Sequence, residues 1–187
     1  MVKEKERLLE LLKSKALEVR RVTLSSGRTS DYYVDCKRVT LSPEGAYLTA
    51  RQMLEMIRPD VAAVGGLTLG ADPIVAAIAA VSHIQGRELQ ALIVRKEPKK
   101  HGTMNYVEGP ALERSAKVAV VEDVVTTGAS LIRAIERIAA AGYEPVQALA
   151  ILDRQEGGRE ALDARGFKLH ALFSRDDLCI NKGNSEQ

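Results

Sequence analysis

The sequence predicts an α/β fold: a central parallel β-sheet of about five strands flanked by helices, with a small N-terminal hood. Three observations carry this reading. From Val61 onward, short apolar runs alternate with helical segments, the rhythm of consecutive βαβ units. The residues are 45% apolar but only 4% aromatic, with no Trp, so the core must be built from Ala, Val, Ile and Leu, as in a sheet covered by helices. A length of 187 residues fits one domain, 1–187, with a hood over about 1–40 and an α/β core over 60–175.

Each element has its own warrant. Glu4 to Leu12 places Leu8, Leu11 and Leu12 on one helical face. Leu17 to Leu24 is β-compatible through Val19, Val22 and Thr23, and Ser25-Ser26-Gly27 turns the chain toward a second short strand, Asp31 to Val39. Ser42-Pro43 supplies a capping hydroxyl and a first-turn proline for a helix running to Ile57. The core strands are Val61 to Val64, Ala91 to Val94, Val118 to Val121, Val146 to Leu152 and Phe167 to Leu172. Helices are expected at Pro73 to Ser82, Gly128 to Ala141 and Arg159 to Arg165; in the second, Leu131, Ile132, Ile135 and Ile138 form the face that covers the sheet. Arg95 to Lys117 is a long connection without apolar periodicity, and long connections in compact domains are usually functional.

Composition also excludes. A net charge of +2 is too small for a general nucleic-acid binder, and so few aromatics make no stacking platform for single strands. Cys36 and Cys179 fit neither a CxxC pair nor a disulfide framework, which points to a reducing cytoplasm. The charged N-terminus is unlike a secretory signal, and the longest apolar stretch, Val61 to Val81, is broken by Asp72, Pro73 and several glycines, so no membrane partner is expected.

The chemistry concentrates in Val118–Ser130: an apolar strand, the acids Glu122 and Asp123, then Val124-Val125-Thr126-Thr127-Gly128-Ala129-Ser130 opening a helix. Free amides at a helix N-terminus and the helix dipole favour a phosphate, the hydroxyls add donors, and Gly128 lets the backbone come close. Carboxylates at that strand end repel phosphate but accept bonds from sugar hydroxyls, so the pattern asks for a phosphate and a ribose together. A well-capped helix alone explains Thr and Ser but not the paired acids. Neither GxxxxGK nor GxGxxG occurs.

A second concentration is Arg95-Lys96-Glu97-Pro98-Lys99-Lys100-His101-Gly102, with four permanent positive charges and one titratable group, suited to a polyanionic leaving group. On its own it also fits a solvated surface run. Gly65–Pro73 fits either a third anion site or a tight turn with Asp72 as helix cap.

The Val118–Ser130 stretch resembles the ribose-phosphate binding motif of the type I phosphoribosyltransferases. The basic loop and Ser26-Gly27-Arg28-Thr29-Ser30-Asp31-Tyr32-Tyr33 resemble the catalytic loop and hood segment of the orotate-using branch, so the likeness runs from about Leu17 to Arg154. The resemblance implies transfer of a phosphoribosyl group from 5-phosphoribosyl 1-diphosphate to orotate, giving orotidine 5′-phosphate and diphosphate in pyrimidine biosynthesis. It implies Lys99, His101 and Asp123 as catalytic residues. Arg95, Lys96, Lys99, His101, Glu122, Asp123 and Val124 to Ser130 would bind the donor, and Thr126 and Arg154 the orotate. Mg²⁺ is implied as a cofactor bridged by substrate with no direct protein ligand, and a cytoplasmic homodimer in which loop 95–110 is shared between subunits. By position alone Arg154 also fits an ordinary salt bridge with Asp153 or Glu156. Ser25 and Leu69 stand where some members carry Lys, and Arg28 is a nearby replacement. The alternatives are a phosphoribosyltransferase for a purine or another base, and a non-catalytic regulator that keeps the donor pocket.

Overall fold

A computed structural model describes residues 2–23, 29–98 and 105–178. Leu8, Leu11 and Leu12 are buried as the helical spacing predicts, on α1 (Val2–Leu11) and the π-helical turn Leu12–Ala16 that continues it. Two short antiparallel ribbons follow: β1 (Leu17–Glu18) pairs with β4 (Tyr33–Val34), and β2 (Val22–Thr23) with β3 (Thr29–Ser30).

The expected strand Asp31 to Val39 is corrected. Its second half is a helical turn, α2 (Lys37–Thr40). The Asp35 carboxylate accepts a hydrogen bond from the Lys37 amide at 3.2 Å, which starts a turn. The helical geometry then puts both Val39 and Thr40 in the interior, where alternation along a strand would expose one of them. The helix predicted from the Ser42-Pro43 pair is α3 (Pro43–Met56), with Ser42 Oγ accepting from the Gly45 amide at 3.3 Å.

The remaining strands form one six-stranded sheet, β5 (Ala63–Leu67), β6 (Gln90–Val94), β7 (Val107–Glu108), β8 (Lys117–Val125), β9 (Glu144–Asp153) and β10 (Leu169–Ser174), in the order β10-β9-β8-β5-β6-β7. All neighbours are parallel except β6 and β7. The five core strands expected from sequence are therefore joined by a short antiparallel edge strand inside the long connection. Pro145 is tolerated in β9 because β10 pairs only from Ala148 onward, so this end of the strand is paired on one side.

Two apolar layers sandwich the sheet. On one face α3 and α4 (Asp72–Ile84) pack Met53, Ile74 and Ile78 against Ala119, Val121 and Leu149. On the other, α5 (Ala129–Ala140) and α6 (Gly158–Asp163) bring Leu131, Ile135, Ile138 and Leu162 onto Val118, Val120 and Ala148. With apolar helices on both faces, chemistry is left to the loops at the carboxyl ends of the strands.

Candidate active site

The apolar run expected as the strand ends at Val121 with the two acids closing it, but the ladder continues to Val125, so Glu122 and Asp123 lie within the strand rather than at its end. Glu122 is buried, and its carboxylate accepts from the Asp123 amide at 3.1 Å. Burial foremost, then the charge of Asp123 and a carboxyl–carboxylate hydrogen bond with it, push the Glu122 carboxyl well above the ordinary glutamate range; Lys96 acts in the opposite direction.

Directly beyond the acids, Glu122, Val124, Val125, Thr126, Thr127, Gly128, Ala129, Ser130 and Leu131 line a cavity of about 230 Å³. Gly128 is the N-cap of α5 at φ +80° and no side chain caps the helix, so its first amides are directed into the cavity. Nearly the whole motif read from sequence is brought together here. Asp123 is set apart from the cavity wall: its carboxylate accepts from the Val124 amide at 2.8 Å and lies against Gly70, where an added Cβ would come within 2.5 Å of it. The glycine-rich connection after β5 therefore packs on the second acid. Asp72, the expected cap of α4, instead occupies its first turn without capping, and burial raises its carboxyl. Leu69 is exposed.

Arg154 follows β9, its amide bonded to the Val125 carbonyl at 2.9 Å, at the same sheet edge as the cavity. It is 2% exposed, so a surface ion pair is not its setting. Its Nε donates to Glu156 at 2.8 Å and its guanidinium lies 4.3 Å from the centre of the Tyr32 ring. Asp153 is committed elsewhere, pairing with Arg159 at 2.9 Å and accepting from the Gln155 amide at 2.8 Å. Of the two acids that sequence offers as partners of Arg154, Glu156 is the one that pairs with it, in a buried rather than a surface setting; Tyr32 carries no signal in the sequence as a partner of Arg154.

Of the basic segment, Arg95 and Lys96 are described, and Lys99 and His101 lie outside the described residues, as do Ser25 and Arg28. Arg95 is turned onto its own stem, bonded to the Glu97 carbonyl at 3.3 Å and to Glu108 at 3.4 Å. Lys96 is the basic residue whose charge reaches Glu122.

No family model matches the chain. The orotate phosphoribosyltransferase of Thermosynechococcus vestitus is 50% identical over 174 residues, 93% of this chain and 92% of that protein. That of Aquifex aeolicus is 45% identical over 181 residues, 94% of this chain and 97% of its own length. Among solved structures, the Mycobacterium tuberculosis orotate phosphoribosyltransferase in complex with 5-phospho-α-D-ribosyl 1-diphosphate has a TM-score of 0.78 at 37% identity, covering 95% of this chain and 99% of that one. Motif, topology and relatives agree, and the chain belongs to the orotate phosphoribosyltransferase family.

Proposed function

We propose that this chain joins orotate to the ribose of 5-phosphoribosyl 1-diphosphate. A ring nitrogen of orotate forms a bond to the anomeric carbon as the bond from that carbon to the diphosphate oxygen breaks; the electron pair leaves with diphosphate, and the proton of that nitrogen is released to diphosphate or water. Positive charge develops on the sugar and negative charge on the leaving group, so the protein's task is electrostatic positioning. The amides and hydroxyls of Thr126 to Ser130 would hold the 5′-phosphate, and Glu122 and Asp123 the ribose hydroxyls. Thr126 and Arg154 would receive orotate, and Arg95, Lys96, Lys99 and His101 the diphosphate.

The observation that carries the orotate reading is the buried Arg154. A phosphate cradle recognises any phosphoribosyl donor, whereas the planar fork of Arg154, held by Glu156 at the same sheet edge as the cradle, suits a carboxylate-bearing acceptor. Glu156 and the Tyr32 ring fix its plane in advance.

Glu122 on the cavity wall and Asp123 beside it are hard oxygen donors of the kind that suits Mg²⁺, and they would meet an ion brought in with the donor through water. When bound, that ion supplies charge neutralisation on the leaving group. No helix among the described residues is long and apolar enough to cross a membrane. A cytoplasmic homodimer sharing loop 95–110 is part of the proposal.

The direct test is loss of orotate absorbance on mixing the protein with donor and Mg²⁺. Turnover is expected with orotate and not with hypoxanthine or adenine; the reverse pattern would replace the proposal with a purine enzyme. Lys99→Ala should lower turnover by orders of magnitude with little change in melting temperature, and unchanged turnover would remove the loop from the mechanism.

A further inference from the structure

Arg137 lies in the last turn of α5, where a cation is ordinarily explained by the negative end of the helix dipole. Its guanidinium does something else. It donates to the carbonyls of Arg95 and Lys96, the latter at 3.0 Å, and lies 4.1 Å from the centre of the Tyr106 ring. Residues 95 and 96 form the outgoing root of the basic segment and Tyr106 the returning root. The roots are also joined to each other, because the Arg95 amide donates to the Tyr106 carbonyl at 2.8 Å, one step beyond the β6–β7 pairing of Val94 with Val107. One side chain therefore grips both roots, and it comes from the helix whose N-terminus forms the phosphate cradle.

We infer that Arg137 is a positioning residue that fixes the roots of the basic segment against α5 and so sets the course on which that segment leaves the sheet. Two adjacent carbonyls bound to one planar fork set the direction of the peptide between them, and hence the side from which Lys96 leaves the backbone. The hydrophobic face of α5 does not require this residue, since Leu131, Ile132, Ile135 and Ile138 make the packing. Lysine could supply the charge but not the fork, and its stacking on Tyr106 would be weaker.

The inference rests on the proposed role of the basic segment in binding diphosphate, and its test separates the two. Arg137→Met and Arg137→Lys should speed amide exchange in peptides spanning residues 93–98 and 105–108 about tenfold or more, with Lys intermediate. The same variants should lower kcat/KM for 5-phosphoribosyl 1-diphosphate by about tenfold or more. Affinity for orotidine 5′-phosphate, which has no diphosphate, should stay within about twofold of the parent. Unchanged exchange overturns the inference, as does unchanged kcat/KM; a parallel loss of orotidine 5′-phosphate affinity would show that α5 and its cradle had merely been distorted. If an Arg137 variant fails to fold, Tyr106→Leu, which leaves α5 untouched, must give the same pattern. Failure of the diphosphate reading itself would appear separately, as a fully active Lys99→Ala variant whose exchange is normal.

Discussion

The Arg154 guanidinium stands 4.3 Å from the centre of the Tyr32 ring, and both residues are almost wholly buried. Tyr32 lies between β3 and β4 and Arg154 just beyond β9, so this contact fastens the N-terminal ribbons to the edge of the main sheet. A second cation, Arg175, lies 5.9 Å from the same ring. Burial pushes the Tyr32 phenol up, partly offset by Arg154, so the ring remains a neutral platform at physiological pH. A desolvated cation–π contact is worth about 2 kcal/mol.

Tyr32→Leu should therefore raise KM for orotate by about tenfold or more, because the ring that orients the guanidinium is lost. Tyr32→Phe keeps the ring and should raise it less than about threefold. KM for the phosphoribosyl donor should be nearly unchanged in both. Steady-state kinetics with each substrate varied separately measures this, and an equal rise in both KM values would contradict the assignment of Arg154 to orotate.

The raised Glu122 carboxyl gives a pH dependence with a definite sign. Below about pH 4.5, the ordinary glutamate value, both folded and unfolded chains hold the proton and Glu122→Gln should be nearly neutral. Above it the unfolded chain releases the proton first, so the parent loses stability until pH passes the raised folded value. The melting temperature of Glu122→Gln minus that of the parent should thus grow as pH rises from 4.5 and then level, by about 2–4 °C per kcal/mol for a chain of this size. Asp123→Asn removes the two contributions from the neighbouring acid and should reduce the growth. A difference independent of pH would show that burial beside Asp123 does not raise the Glu122 carboxyl.

The βαβ rhythm was legible because it is local: apolar runs and helix faces are periodic in sequence, and Ser42-Pro43 caps a helix through neighbouring atoms. The cavity was legible for the same reason, since Glu122 to Leu131 line it in one unbroken stretch apart from Asp123. What escaped depends on partners far along the chain. Glu122 reads as a strand end because acids favour solvent, yet its strand continues by pairing with Ala150 and its burial is a property of the assembled sheet. Val39 is β-branched, but docking of α2 decides its conformation. β7 has only two residues and carries no periodic signal. Arg137 looks like a surface cation because the carbonyls it binds lie some forty positions earlier.

Gly128 tests the backbone of the cradle. At φ +80° an alanine pays for left-handed geometry, about 1–2 kcal/mol, and its Cβ would lie 3.1 Å from the Gly158 carbonyl oxygen. Gly128→Ala should lower unfolding free energy in urea by at least that amount and weaken binding of orotidine 5′-phosphate, whose phosphate needs the same amides. Equal stability and affinity in the variant would mean that this turn can relax and that the close approach is not needed.

Sharing of the basic segment between subunits can be decided by mixing two inactive proteins. Lys99→Ala removes a loop charge and Asp123→Asn an acid beside the cradle. If the loop of one subunit serves its partner's site, a mixed dimer has one site with both defects and one with neither. Random exchange of equal amounts makes half the dimers mixed, so activity should recover to about a quarter of the parent level. If each loop serves its own site, every site keeps one defect and nothing is recovered. The comparison holds where each variant remains dimeric by sedimentation.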